Sequence, residues 1–221
     1  MSGNTQRRSA RLLTCSTTTV ERKFQWLFKY KHLLVKQTSF SQNIFIDEME
    51  SIEHTKLKPL TIPLCVDADY KILASNVGQI PAKGHLSKLS VIKYGPRLNQ
   101  REQVLEELLA YLKTELKLSP LCITTDSHPS YPGIVKKYFP QAKHLQVIAR
   151  HQKEKKRELL FENKNKKIFD PMFALNQRCA KLRQDIRRLS RRSWCTTKKV
   201  ENLKKHLQLY QIYNNNNVAI N

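Results

Sequence analysis

Asn43-Ile44-Phe45-Ile46-Asp47-Glu48-Met49-Glu50-Ser51 is a short apolar run that ends abruptly in acid, and Leu121-Cys122-Ile123-Thr124-Thr125-Asp126-Ser127 repeats the pattern far downstream. Each run is apolar and β-branched over roughly four to six residues, as in a buried strand, and carries an aspartate where the strand runs out. Side by side in one sheet, the two strands would bring Asp47 and Asp126 together at one edge. Carboxylates held in this way suit a pair of hard divalent cations about 4 Å apart, and the chemistry of such a pair is phosphoryl transfer. Either aspartate alone also fits a turn residue whose side chain bonds the backbone. The rest of the chain favours the first alternative, because a protein of net charge +22 and pI near 10.0 has no structural need for carboxylates at the ends of its most buried strands.

The elements that must position this pair belong to a 221-residue chain with 40% hydrophobic and 26% charged residues, enough to bury a core and too apolar for disorder. No run of about 18 apolar residues exists, and the Ser/Arg/Thr-rich start has no apolar segment of the secretory kind, so the expectation is a cytoplasmic protein with no membrane span. Five scattered cysteines, Cys15, Cys65, Cys122, Cys179 and Cys195, form no CxxC pair and read as reduced small hydrophobes. The cations are uneven: residues 1 to 36 carry eight Lys/Arg against one acid, residues 150 to 205 nineteen against six, and the middle thirteen against eleven. Basic flanks around a near-neutral centre suggest a polyanion gripped on both sides of an acidic, metal-loaded site, and nucleic acid is the natural polyanion. Solubility alone is the other use of such charge. An anionic membrane is disfavoured because the basic helices carry ordinary apolar stripes.

In chain order, residues 5 to 14 and Ser16 to Lys31 read as two helices in a tight turn, with Ser16 or Thr18 as N-cap and a T-x-x-E capping box from Thr18 to Glu21. This spacing suits a helix-turn-helix, with small Ala10 and apolar Val20 at the helix contact and Thr14 at the turn position where glycine is usual. Thr17, Thr18, Arg22 and Lys23 would then open a recognition helix facing DNA. An ordinary helical hairpin is the alternative. The strand of Asp47 is followed by a hairpin, Lys58 to Val66 and Tyr70 to Val77, whose turn aspartates Asp67 and Asp69 read as structural. The basic loop Pro81-Ala82-Lys83-Gly84-His85 suits a phosphate contact through Lys83 and His85. Helical periodicity from Asn99 to Leu116 leads into the strand of Asp126, then a helix near Tyr131 to Phe139, a strand from His144 to Ile148, and a Lys-rich segment from Arg150 to Lys167. Asp170 as N-cap and Pro171 as first residue would open the next helix. Its stripe Leu175, Cys179, Leu182, Ile186 and Leu189 packs on the core, and its other faces carry Arg178, Lys181, Arg183, Arg187, Arg188, Arg191 and Arg192, a phosphate cradle. A last helix runs from about Lys198 to Tyr213, with a frayed Asn-rich tail.

The strand triplet feeding an alternating α/β run resembles the ribonuclease H-like mixed sheet with flanking helices, in which the first and fourth strands are neighbours. More specifically, the chain resembles transposases of bacterial insertion sequences of the DDE type, which carry a zinc ribbon and helix-turn-helix ahead of the catalytic domain. The resemblance rests on Phe45-Ile46-Asp47-Glu48-Met49-Glu50, on Thr124-Thr125-Asp126-Ser127 followed by Tyr131, on Asn176 with Arg183 seven residues later, and on the basic Leu182 to Trp194 segment. It implies a partial helix-turn-helix over residues 1–36, a catalytic domain over 37–213 and a disordered tail over 214–221. It also implies two Mg²⁺ or Mn²⁺ ions held by Asp47 and Asp126, with Asn176 where the family usually has Glu and Arg183 on phosphate. On a helix turning 100° per residue, Asn176 and Arg183 lie within about 20° of each other and Asp185 points to the opposite side. The expected activity is cleavage and transfer of double-stranded DNA at element ends, in a bacterial, nucleoid-associated protein acting as a homodimer or larger assembly. The zinc ribbon has no counterpart here, so a truncated, catalytically inactive DNA-binding remnant is the alternative expectation.

Overall fold

The computed structural model describes residues 5–35, 39–116, 119–148, 170–190 and 195–218. Its centre is a mixed six-stranded sheet, and the two aspartate-bearing runs lie in its middle. β1 (Asn43–Glu53) is long enough to serve two environments. Ile44 and Ile46 point to one face and Phe45 and Met49 to the other, and both faces are covered. β2 (Thr55–Asp67) runs antiparallel to β1, and β3 (Ile72–Ser75) and the two-residue β4 (Gly78–Gln79) both pair with β2. On its other side β1 pairs in parallel with β5 (Cys122–Asp126), which pairs in parallel with β6 (Lys143–Val147). The order β3-β2-β1-β5-β6 thus joins an antiparallel half to a parallel half at β1/β5. The strand of Asp47 and the strand of Asp126 are neighbours, as the sequence requires of them.

Prolines inside an interior strand need a reason, because each removes a ladder donor. The carbonyls of Pro59 and Pro63 in β2 accept from Ile80 N (3.2 Å) and Asn76 N (3.1 Å), so the missing N–H groups face the side where pairing changes from β3 to β4. Gly78 in β4 is held to zero side chain by the helix above it, since a Cβ there would lie 2.7 Å from Val104 Cγ1.

Helices cover both faces. α4 (Arg101–Glu115) buries Val104, Leu105, Leu108, Leu109 and Leu112 and, with α5 (Ser130–Tyr138), closes the face of Ile44 and Ile46. α6 (Phe173–Asp185) and α7 (Val200–Val218) close the other. The expected stripe on α6 is buried from Leu175 to Leu189, although the helix stops at Asp185 and a 3-10 turn (Arg187–Leu189) carries the last part. α6 also starts later than the cap residues suggest: Asp170 accepts from Met172 N (3.0 Å) in a turn, and the first helical residue is Phe173. A helix absent from the sequence reading, α3 (Leu86–Tyr94), lies on β2 through buried Ser90, whose hydroxyl donates to Leu57 O (2.7 Å).

Ahead of the sheet, α1 (Gln6–Leu12) and α2 (Thr17–Lys29) form a helical hairpin. Ser16 caps α2, accepting from Thr19 N (3.0 Å), so Thr18 lies within the helix and the expected Thr18–Glu21 box does not form. Thr14 holds φ 50, and Thr14 N and Cys15 N donate to Arg11 O (3.3 Å) and Ala10 O (3.0 Å), the paired bonds of a Schellman turn with threonine where glycine is usual. The hairpin sits on α7, with Lys205 donating to Gln25 (2.8 Å) and Phe24 edge-on to His206 at 5.7 Å. No described helix is long and apolar enough to cross a membrane.

The Asn-rich run expected to fray after Tyr213 is instead helical through Val218, and Asn214 and Asn215 are buried. Their amides have work to do at the sheet edge. Asn215 accepts from Ile72 N (2.9 Å) and donates to Ile72 O (2.8 Å), and Gln211 donates to Leu73 O (2.8 Å), so side chains of α7 take the place of a further strand beside β3. Replacing Asn215 by Ala would leave both backbone groups of Ile72 buried without partners. At about 1–3 kcal/mol per orphaned group, Asn215→Ala is expected to lower the urea-unfolding free energy by about 2–6 kcal/mol, whereas a fraying tail would register no loss.

Candidate active site

The ladder between β1 and β5 runs in register to Ile46↔Thr125. The next step along both strands is Asp47 beside Asp126, on the same face, because parallel partners at one level point the same way. Asp126 Oδ1 accepts from His128 N (3.0 Å), just past the end of β5, whereas Asp47 lies inside β1, which runs on to Glu53, and its Oδ1 accepts from Glu48 N (2.6 Å) within the strand. The first strand thus does not run out at Asp47 as expected, and the turn role open in the sequence is taken by Asp126. It coexists with a second property, an electrostatic one. Burial pushes the Asp47 carboxyl up to about 6, against the backbone bond from Glu48, and the neighbouring charges of Asp126 and Glu48 raise it further, opposed by Arg101.

Three further residues surround the pair: Tyr131 and Glu48, which stand in the quoted motifs without a role of their own, and Arg101. Tyr131 on α5 is buried, its hydroxyl has no hydrogen-bond partner among the described residues, and its ionisation is driven far upward by burial and by Asp47, Glu48 and Asp126. Glu48 is almost fully enclosed: Oε2 takes the Thr61 hydroxyl and pairs with Arg101 Nη1 (3.3 Å), and Oε1 is buried with no partner among the described residues. Arg101 reaches Glu50 through Nη2 as well (3.3 Å). A cation in the first turn of a helix opposes the helix dipole, and that anomaly is the one sequence signal for Arg101.

From the other side α6 crosses the pair. The buried Cys179 thiol is raised to about 11, by burial first, and it senses both Arg183 and Asp47. Asn176, Cys179 and Arg183 lie within a sector of about 60° on this helix, of which Cys179 is the member that senses Asp47. Asn176 is exposed, and its amide nitrogen donates to Asp170 Oδ2 (2.9 Å), which leaves its carbonyl oxygen to offer. Asp185 points away, accepting from Tyr210 OH (2.7 Å), and Asp67 is a structural residue that takes Ser41 N (3.1 Å) and Lys71 N (2.8 Å). Among the described residues no three His, Cys, Asp or Glu side chains gather to hold a metal. The donors available are two carboxylates and one amide carbonyl. All are hard oxygens, and the displaced Asp47 carboxyl marks a charge deficit that a divalent cation would relieve, so the set fits Mg²⁺ or Mn²⁺.

The expected cationic contacts divide. Arg183 lies near Cys179, which also senses Asp47, and Arg187 is exposed at the turn after α6. Arg188 departs from the solvated cradle: the 3-10 turn rotates it inward, where it is half-buried near Cys195 and His206. Lys83 is exposed and paired to Glu50 (2.7 Å), and exposed His85 precedes α3. Thr17, Thr18, Arg22 and Lys23 are exposed on α2, with Lys23 over the Trp26 ring at 5.8 Å. Arg191, Arg192 and the Lys-rich segment from Arg150 to Lys167 lie outside the described residues. No family model matches the chain, and no curated protein matches it.

The displaced carboxyl makes a stability prediction. An acid moved from 3.8 to about 6 on folding keeps its proton better in the folded state. Its penalty on stability is absent below about pH 4, grows as the pH rises through 6, and persists above. Asn at this position keeps the acceptor for Glu48 N and cannot ionise. Asp47→Asn is therefore expected to gain about 1–3 kcal/mol at pH 7.5 and nothing at pH 4, read by denaturant unfolding at the two pH values. Equal effects at both would disprove the charge explanation.

Proposed function

We propose that the chain is a metal-dependent DNA strand-transfer enzyme of the DDE transposase type, built on a ribonuclease H-like sheet. The observation that carries this reading is Asp47 beside Asp126 at the β1/β5 junction, with the Asp47 carboxyl held up by burial and by its neighbour. Strand order supports the fold assignment: three antiparallel strands, then two parallel ones beside the first. The hairpin α1–α2 supports a helix-turn-helix role, with Ala10 buried at the helix contact and Thr14 in the left-handed conformation at the turn.

In this reading Asp47 and Asp126 hold two Mg²⁺ or Mn²⁺ ions and Asn176 completes the set with its carbonyl oxygen. Bound metal would supply an activated nucleophile, water for cutting and a 3′-hydroxyl for joining, and would stabilise the leaving oxygen. The chain's own residues do the rest. Asp47, displaced to about 6, is mostly ionised at neutral pH. Arg183 engages a phosphate beside the pair. Thr17, Thr18, Arg22 and Lys23 grip double-stranded DNA at a distance from the chemistry, with Lys83, His85, Arg187, Arg188, Arg191 and Arg192 as further contacts. Paired element ends imply a homodimer or larger assembly.

Cleavage and joining of supercoiled DNA carrying the element's own ends should require Mg²⁺ or Mn²⁺ and disappear in Asp47→Asn and Asp126→Asn, while DNA affinity stays the same or rises. Cleavage that survives either substitution excludes the pair as the active site. Binding should also fall steeply with salt, by about 0.9 in log K per log unit for each phosphate neutralised, and a flat titration from about 50 to 200 mM would assign the charge to solubility. A second reading, a DNA-binding remnant, is favoured by one observation: Asp170 already holds the Asn176 amide. A parent protein that binds these ends and never cuts them, at any metal concentration, would select the remnant.

A further inference from the structure

A cavity of about 310 Å³ opens at the far end of β1, four residues beyond Asp47 and so roughly 13 Å along the strand. The start of β2, the loop before α3, the turn after α6 and Thr196 close it. Its floor is apolar, and its charged lining is Glu50, Lys56, Lys83 and Arg188. Glu50 is already committed, to Lys83 (2.7 Å) and to Arg101 (3.3 Å). That leaves Arg188 and Lys56 without a counter-charge in the cavity.

Arg188 is the anomaly. Its guanidinium is half-buried, and among the described residues no carboxylate or hydrogen-bond acceptor engages it. Among the described residues the titratable groups nearest it are the Cys195 thiol and the His206 imidazole; neither is a carboxylate, and burial and Arg188 itself hold His206 down at about 4. Arginine cannot shed its proton to relieve the cost of burial, so a desolvated guanidinium calls for an anion. Two hydroxyls share the lining, Ser190 and Thr196, and the Thr196 oxygen accepts from Lys198 Nζ (3.3 Å), which leaves its O–H to donate.

We propose that this cavity is an oxyanion site for a phosphate group, separate from the acid pair, with Arg188 as anchor and Lys56, Ser190 and Thr196 as further donors. A carboxylate has two oxygens to share among a guanidinium fork, an ammonium and two hydroxyls; a phosphate presents enough to engage them all. The apolar floor lowers the local dielectric and strengthens each bond, and the volume leaves room for the body that carries the phosphate. If the protein acts on DNA as proposed above, that body is the backbone of the bound strand. The site itself does not depend on that reading.

Inorganic phosphate is the first probe, with the full-length chain. Thermal unfolding in phosphate, against chloride at equal ionic strength, should rise, and the rise should shrink by at least half in Lys56→Ala and in Ser190→Ala, rim residues whose loss leaves the fold intact by circular dichroism. Arg188→Gln should abolish it. Fluorescence anisotropy with duplex DNA identifies the source. A salt slope about 0.9 shallower in Lys56→Ala assigns a backbone phosphate to the cavity, and an unchanged DNA slope with the phosphate effect lost assigns a free or small-molecule phosphate. Phosphate binding in a parent that ignores DNA would sink the transposase reading and leave the site standing. No phosphate effect beyond chloride, or variants that respond as the parent does, overturns the site.

Discussion

Parallel pairing of β1 with β5 is the constraint on which the rest depends. Antiparallel partners could bring two strand-end carboxylates together only if the ends ran opposite ways; parallel partners in register do so automatically, one step past Ile46↔Thr125. The pairing has a cost, because the acids then sit together where the β1/β5 ladder ends and repel each other. Arg101 offsets part of it from the face of α4, through Glu48 and Glu50. The remainder appears as the displaced Asp47 carboxyl. Stability is given up locally to hold negative charge where a cation would be needed, the usual relation between a strained polar site and the well-packed layers that tolerate it.

Much of this was legible in the residues, and what was not has physical causes. The start of β1 and all of β5 announce themselves as apolar, β-branched runs meeting acid, although β1 runs on past Asp47 to Glu53, and the α6 stripe announces itself by its period, because burial on one side imposes that period. α3 could not be read in this way. It covers β2 through Ser90, while Leu89 (51% exposed) and Ile92 (82%) face outward, so its apolar residues mark the wrong side. The Asn run of α7 misled for a related reason: asparagine reads as tail, and only the unpaired edge of β3, which lies elsewhere in the chain, gives those amides a buried use. At the site, Asp47 and Asp126 were identifiable from type and position. The roles of Glu48, Tyr131 and Arg101 were not, since Tyr131 and Arg101 reach the site only when α5 and α4 pack over the sheet, and Glu48 is enclosed only once Thr61 and Arg101 meet it.

The basic residues teach a similar lesson about counting charge along a helix. From Arg178 to Arg192 the sequence offers a continuous cationic row, and a helical wheel spreads it over the solvent faces. The helix ends at Asp185, however, and the 3-10 turn that follows changes the direction of the side chains from Arg187 to Leu189. Arg183 stays near Cys179, while Arg188 is half-buried. One break of three residues separates a cation on the helix from a cation lining a cavity.

The amides that α7 lends to β3 bear on how this chain avoids sticking to itself. An edge strand with open N–H and C=O groups is a template on which a second molecule can grow a sheet, and charged or proline-bearing edges are the common defence. β3, Ile72-Leu73-Ala74-Ser75, has neither charge nor proline. It relies on Asn215 and Gln211, which satisfy its backbone with groups too short to extend a ladder. Loss of the last two turns of α7, by nicking or by local melting, would uncover an apolar, neutral edge and turn a folded chain into a nucleus for aggregation. The final helix thus doubles as a chaperone carried within the chain.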